Sequence, residues 1–131
     1  MPGSAAETVQ PAVEHRNEVH LVGRLGAAPE RRELPSGDIL VQFRLVVDRT
    51  AQTGRRSTRT GARRTPTVDT LDCAAWRKDV QRSLAACQAG DVVEVTGALR
   101  RRFWRSPGGA ASRSEVEAAR VRRLFPGGRA P

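Results

Sequence analysis

The sequence predicts an all-β domain, a five-stranded barrel with one short helix between its third and fourth strands. Two observations carry this prediction. Several segments alternate apolar and polar residues with period 2, as half-buried strands do, and a segment after Asp79 has helical spacing. At 131 residues, the chain is long enough to bury one core and corresponds to one domain.

The first two strands are predicted at residues 18–25 and 39–48. The second has the clearest alternation in the chain, with Phe43 on its core face. Residues 35–38 combine Pro, Ser, Gly and Asp, which favours a tight turn. We therefore expect an antiparallel hairpin between these two strands, with residues 30–34 as a short charged extension before the turn.

The third strand is predicted at residues 67–76, with a bulge before Leu71. Asp79 is the expected N-cap of the helix that follows. From Val80 onward, apolar residues fall at i, i+4 and i+7, which is typical of one buried helix face. Gly90 is expected to end this helix.

The fourth strand is predicted at residues 90–105, and residues 106–112 are expected to form a long hairpin loop. The last segment, residues 114–124, is open to two interpretations. It alternates at first, but Val121 and Leu124 also suit a helix. With a closing strand here, the element order is that of the OB-fold, whose exposed face and loops bind oligonucleotides.

The predicted fourth strand is mostly apolar in its first half and basic and aromatic in its second half. Its first half has core positions, and its second half places arginines and an aromatic ring on the opposite face; Phe103 falls on the core face by parity. Cations for phosphates and a flat ring for bases are what a single nucleic-acid strand requires. The predicted core residues are Val93, Val95, Gly97 and Leu99, and the predicted surface residues are Arg100, Arg102 and Trp104.

The net charge of +9 and a sequence pI of about 11.5 indicate a polyanionic partner, either nucleic acid or an anionic membrane surface. Arginine-rich solvated faces without a partner are the alternative. Residues 49–66 hold six arginines and no acid. Such a segment is either a solvated insertion or an electrostatic flap over a bound backbone.

Several functional classes are not expected. No stretch approaches the roughly 20 apolar residues of a membrane helix, and no secretory signal precedes the first strand. Cys73 and Cys87 form no metal-binding pair and are expected to be buried thiols in a reducing cytoplasm. Two histidines and no nucleophile motif argue against an enzyme, a metal site or a cofactor.

Residues 17–26, 35–37 and 43–45, and the block 89–100 that leads to Trp104, resemble bacterial single-stranded DNA-binding proteins. The resemblance covers residues 17–124. It implies an OB-fold subunit of a homotetramer, or of a dimer, that coats single-stranded DNA without sequence choice. The implied setting is DNA replication, recombination or repair on cytoplasmic, nucleoid-associated DNA.

The resemblance implies stacking on Trp104 and Trp76 and a basic site at Arg32. Thr70 and Ala51 stand where many relatives have tryptophan, so arginines are expected to carry more of the binding. The predicted single-stranded DNA-binding residues are Trp76, Trp104, Arg100, Arg102, Arg105, Arg32, Arg44, Arg49, Arg55 and Arg56.

Residues 1–16 are expected to form a flexible arm and residues 125–131 a short tail. The sequence shown ends in Gly-Gly-Arg-Ala-Pro, where the family has an acidic tip that recruits replication and repair enzymes. We therefore expect a shortened paralogue in which strand binding carries over better than partner recruitment. An RNA-binding or primosomal-type OB-fold adaptor is the alternative.

Overall fold

The structure is a computed structural model that describes residues 12–49 and 67–127. In these residues one helix lies among six strands. The elements are β1 (Val19–Leu25), β2 (Glu30–Glu33), β3 (Ile39–Asp48), β4 (Val68–Ala75), α1 (Lys78–Ala85), β5 (Val92–Ser106) and β6 (Gly109–Phe125). Because β2 is a short addition beside β3, the helix follows the third of five main strands. The predicted barrel is confirmed.

The strands form one sheet in the order β1-β5-β6-β4-β3-β2. β1 pairs antiparallel with β5 along its whole length and reaches β3 only at its end, where Arg24 lies opposite Val46 and Leu25 opposite Leu45. This second pairing closes the barrel. Strands β4 and β6 are parallel neighbours. Among the described strands, most of β1 therefore has a partner on one edge only.

The barrel interior is filled by residues that period-2 alternation predicts in β3 and in the first half of β5. Leu45, Val93 and Val95 are fully buried, and Phe43 is nearly so. The helix covers one end of the same core, with the side chain of Leu84 buried against the strands. The β-branched and leucine side chains form one contiguous cluster, as expected for a single domain.

The turn at residues 35–37 does not join the first two main strands. It connects β2 to β3, with the Leu34 N–H donating to Asp38 O at 2.8 Å. Gly37 has a φ of 95°, which a residue with a side chain rarely adopts. The first two main strands do pair antiparallel, but only at the end of β1. The predicted connection was wrong, because the charged extension pairs with β3 as a strand of its own.

The predicted helix limits were also wrong. The N-cap is Arg77, and Asp79 lies in the first turn, where its carboxylate binds the Arg77 guanidinium at 2.8 Å. The helix ends at Ala85, well before Gly90. Gly90, with a φ of 89°, instead forms the turn that leads into β5.

The bulge predicted before Leu71 is absent from the described β3–β4 pair, which keeps one register throughout. The irregularities lie between β5 and β6 instead. Thr96 pairs with Arg120 and Gly97 with Ala118, so Ala119 is an extra residue on β6. The bulge places Ala118 and Val121 on the same buried face three positions apart. The pair on which the helical interpretation rested, Val121 and Leu124, has the same spacing because Leu124 is the extra residue of the second irregularity, but the segment is a strand.

Asp91 anchors the end of β6 to the turn before β5. Its buried carboxylate accepts hydrogen bonds from the backbone N–H of Gln88 at 2.8 Å and from that of Gly127, and Arg123 lies 3.5 Å away. The Gln88 bond is the main cause of a lowered Asp91 pKa, with the Gly127 and Arg123 contacts acting in the same direction.

We expect Asp91 to make the stability of the domain depend on pH. Its unfolded pKa is near 3.9 and its folded pKa is lower. The contribution to the free energy of unfolding is therefore fully present above about pH 4 and is lost as pH falls through the folded pKa. The urea midpoint of Asp91→Asn should lie below that of the wild type at neutral pH, and the gap should narrow in acid.

The control for this prediction is Asp48→Asn, since Asp48 is an exposed acid that lies 4.0 Å from Arg24, its ion-pair partner among the described residues. Its midpoint should follow the wild type at both pH values. A constant gap for Asp91→Asn across the acid range would show that the carboxylate charge is not what stabilises the anchor.

Candidate nucleic-acid interface

Strands β5 and β6 continue beyond the barrel as a two-stranded ribbon, residues 99–116, which we call the arm. They pair without a break as far as Ser106 opposite Gly109, so only Pro107 and Gly108 form the turn. The long loop predicted at residues 106–112 is therefore wrong. At the base of the arm, Asn17 exchanges two hydrogen bonds, of 2.8 and 2.9 Å, with the backbone of Leu99.

The pairing register assigns the side chains of the arm to two faces. Arg102 lies opposite Arg113 and Trp104 opposite Ala111, and side chains of directly paired residues share a face. Arg100 belongs to the same alternating series. The arm therefore presents the predicted arginine and tryptophan series on one side, together with Arg113 from the returning strand.

The other face of the arm carries Phe103, which was predicted to belong to the core. This prediction was wrong: Phe103 is 72% exposed. The prediction of Leu99 as a core residue was wrong as well, since Leu99, at the base of the arm, is 51% exposed. Alternation places it on the continuation of the core face, but the arm extends past the barrel interior. The guanidinium carbon of Arg101 lies 5.8 Å from the centroid of its ring.

The arginine and tryptophan face of the arm borders a surface groove of about 480 Å³. Side chains from five strands, β2 to β6, contribute to it. Its basic residues are Arg32, Arg44, Arg102 and Arg113, its exposed aromatic residue is Trp104, and its acidic residues are Glu30, Asp72 and Glu115. We call this set of side chains the groove.

The acidic residues hold several of the groove arginines in place. Asp72 accepts from Arg44 Nε at 3.1 Å and from Arg113 Nη1 at 3.0 Å. Glu115 is almost completely buried and lies 3.6 Å from Arg102. With four arginines against three carboxylates, these described groove side chains carry a net charge of +1. The chain as a whole carries +9.

Trp104 is the aromatic side chain of the groove that can accept a nucleobase. It is 45% exposed, and the guanidinium carbon of Arg113 lies 6.0 Å from its ring centroid. This cation–π contact supports the indole in its orientation. A flat, partly exposed ring beside arginines suits a base and its neighbouring phosphates.

Arg32 stands at the far side of the groove on β2, where its Nη1 donates to Gln42 Oε1 at 2.8 Å. Since Gln42 is the outward-facing neighbour of Arg44 on β3, the amide positions one arginine close to another. The groove thus brings together four of the ten predicted site residues: Arg32, Arg44, Arg102 and Trp104.

The other predicted residues that the structure describes do not line the groove. Trp76 follows β4, is 39% exposed and does not line the groove. Arg100 is bound to Glu117 at 2.7 Å, and Arg49 to Asp69 at 3.0 Å. By register, Arg105 is on the Phe103 face of the arm. Arg55 and Arg56 lie outside the described residues.

Sequence reasoning missed Arg113. The signal was present in Pro107-Gly108: a two-residue turn there fixes the register and places residue 113 opposite Arg102. Treating residues 106–112 as a loop removed that information.

Cys73 and Cys87 are buried free thiols, as predicted. Burial, with smaller contributions from Asp72 and Glu115, raises the pKa of Cys73 to about 12, so this thiol is a poor nucleophile.

Within residues 12–49 and 67–127, no three His, Cys, Asp or Glu side chains are grouped to hold a metal ion. Across the same two ranges, no helix is long and apolar enough to cross a membrane.

The fold and the groove define an OB-fold domain with a basic, aromatic outer face. The family model described as the single-strand binding protein family matches residues 16–124. This chain belongs to that family.

Among curated relatives, single-stranded DNA-binding protein A of Bacillus subtilis is 32% identical over 113 residues, covering 84% of this chain and 60% of the relative. Protein B of the same organism is 29% identical over 111 residues, covering 84% of this chain and 91% of the relative. The chain thus spans less than two thirds of the first relative's length. The solved structure "Plasmodium falciparum SSB complex with ssDNA" has the same fold, with a TM-score of 0.66 at 19% identity, covering 88% of this chain and 98% of that one.

Proposed function

We propose that this protein binds single-stranded DNA without sequence preference, as a binding protein and not as an enzyme. The observation that carries the proposal is the groove, where Trp104 stands half-exposed among Arg44, Arg102 and Arg113. A ring accepts any base on its face, and guanidinium groups accept any phosphate. Neither contact reads the edge of a base, so binding is independent of sequence.

Most of the affinity for single-stranded DNA is expected to come from arginine–phosphate contacts. Stacking contributes about 1–3 kcal/mol per base, whereas nanomolar binding requires about 12 kcal/mol. One tryptophan in the groove supplies a small part of that total. Arginine–phosphate contacts, including those expected from residues 49–66, supply more, so the affinity should fall as salt concentration rises.

The first prediction concerns the choice between single and double strands. Labelled oligo-dT should bind tightly at low salt and quench tryptophan fluorescence, because a base stacks on Trp104. A duplex of equal length should bind more weakly and quench less, since its bases are already stacked. Anisotropy and fluorescence titrations on the same samples measure both effects. Equal binding of oligo-dT and duplex without quenching would contradict the proposal.

The same titration with oligo-U separates this function from that of an RNA-binding adaptor, for which the RNA strand would bind more tightly.

We propose roles in replication, recombination or repair, with residues 17–124 as the binding domain. Beyond Arg24 and Leu25, no described strand pairs with this edge of β1, so a second copy could pair there, which supports assembly into the homotetramer expected of the family. The mass of the protein in solution tests this, with a dimer as the other outcome.

A further inference from the structure

The carboxylate of Asp72 lies between two groove arginines that come from different strands. Its two oxygens accept from Arg44 Nε at 3.1 Å and from Arg113 Nη1 at 3.0 Å. Arg44 is the direct cross-strand neighbour of Asp72 on β3, and Arg113 reaches it from β6 on the other side of β4. One anionic group with two oxygens is thus held by two guanidinium groups.

A phosphodiester has the same features, a single negative charge shared over two non-bridging oxygens. Guanidinium groups bind carboxylates and phosphates with closely similar geometry. We propose that Arg44 and Arg113 form a phosphate-binding pair, which Asp72 occupies as a competing anion when no nucleic acid is bound. This inference rests on the proposed function and names one place where the strand backbone binds.

The position of Trp104 supports this assignment. Arg113 contacts both the Asp72 carboxylate and the face of the Trp104 indole. A phosphate that replaced the carboxylate on Arg113 would therefore lie close to a base stacked on Trp104. A single nucleotide unit would meet both contacts that the proposed function requires.

The side chains of Arg44, Arg113 and Asp72 are exposed enough for a phosphate to replace the Asp72 carboxylate. About 63% of the Arg44 side chain, 51% of the Arg113 side chain and 35% of the Asp72 side chain is open to solvent. Ion pairs this exposed contribute little to stability, because water already solvates both partners. Asp72 can therefore release the arginines at small cost, and its replacement should leave the fold intact.

The experiment measures oligo-dT binding by Asp72→Asn and by wild-type protein over a range of salt concentrations. For single strands, log K falls with log salt by about 0.7 for each phosphate neutralised. If one additional phosphate is neutralised in the variant, its affinity should exceed that of the wild type at low salt. The affinity ratio should then decrease about 2.6-fold as salt rises from about 50 to about 200 mM.

The control is Asp79→Asn, which also removes one negative charge and releases an arginine, Arg77, but lies on α1 outside the groove. It tests whether the change in net charge alone explains a higher affinity for oligo-dT. A second variant, Arg113→Gln, should bind oligo-dT more weakly. Asp72→Asn should raise the oligo-dT affinity less when it is added to Arg113→Gln than when it is made in the wild type. The reason is that one arginine of the phosphate-binding pair is already missing in Arg113→Gln.

Four outcomes decide the question. A gain in affinity and a steeper salt dependence for Asp72→Asn, absent from Asp79→Asn, supports the inference. Equal gains in both variants assign the effect to net charge and overturn it. Weaker binding by Asp72→Asn, with an unchanged thermal midpoint, also overturns it, since the carboxylate would then help to orient the arginines. If wild type and variants all fail to bind oligo-dT at low salt, the proposed function itself fails, and this inference with it.

Discussion

Replacing Trp104 with alanine is expected to weaken oligo-dT binding by about 5- to 150-fold, equivalent to about 1–3 kcal/mol. The indole is 45% exposed and lies beside the groove arginines, so its removal takes away a stacking surface but no core contact. The thermal midpoint should change little. Anisotropy titrations at one fixed salt concentration, with circular dichroism on the same protein, measure both quantities.

Phe103→Ala is the matched control for this prediction. Phe103 is adjacent in sequence and is also an exposed ring, but it lies on the face of the arm away from the groove. We expect its binding to stay within about twofold of the wild type, a difference of roughly 0.4 kcal/mol. Equal losses for both variants would mean that the strand contacts both faces of the arm. Unfolding of Trp104→Ala would mean that the indole supports the barrel.

Gly97→Ala is expected to cause a large loss of stability, about 1–3 kcal/mol in the free energy of unfolding. A Cβ at residue 97 would overlap the backbone carbonyl of Glu117 on β6. A backbone group cannot turn aside as a flexible side chain can, so the two strands would have to separate beside the bulge at Ala119. Urea unfolding followed by tryptophan fluorescence measures the change.

Gly108→Ala, in the turn of the arm, is the control for the loss of stability expected of Gly97→Ala. Apart from Gly108 and its two chain neighbours, no atom of the described residues lies within 4 Å of a Cβ built at Gly108, so this variant should unfold at nearly the same urea concentration as the wild type. A stable Gly97→Ala protein would show that β5 and β6 can separate locally without loss of the fold.

The groove also bears on the origin of the salt dependence. Its arginines are partly neutralised by Asp72 and Glu115, so the groove is far less basic than the composition of the chain indicates. An uncompensated set of arginines would attract any polyanion. If the protein binds single strands as proposed, we expect the carboxylates held among these arginines to weaken non-specific attraction, so that stacking on Trp104 accounts for more of the discrimination between single strands and duplexes.

Sequence patterns predicted the elements better than their pairing. Alternation in β3 and in the first half of β5 identified Phe43, Leu45, Val93 and Val95 as core, and all four are buried. It failed at Phe103, because alternation reports which face a residue occupies and not whether another layer covers that face. The arm leaves the barrel, so the same parity that buries Val95 exposes Phe103.

The bulge at Ala119 shows a second limit. It changes the spacing of buried residues on β6 from two to three, so the segment around Val121 resembled part of a helix. An extra residue in one strand is defined by its partner strand, and the partner is not visible in a local window. The same reason explains why Arg113 was missed, since its role depends on the register opposite Arg102.

By itself, the sequence determined that this protein is a small all-β barrel with a helix after the third main strand, an exposed Trp104 and an excess of arginine. Local periodicity and turn chemistry contain that information. Only the tertiary structure decided that Arg32, Arg44 and Arg113 meet Trp104 in one groove, and that Asp72 lies between two of them. These side chains come from strands far apart in the chain, and closure of the barrel is what brings them together.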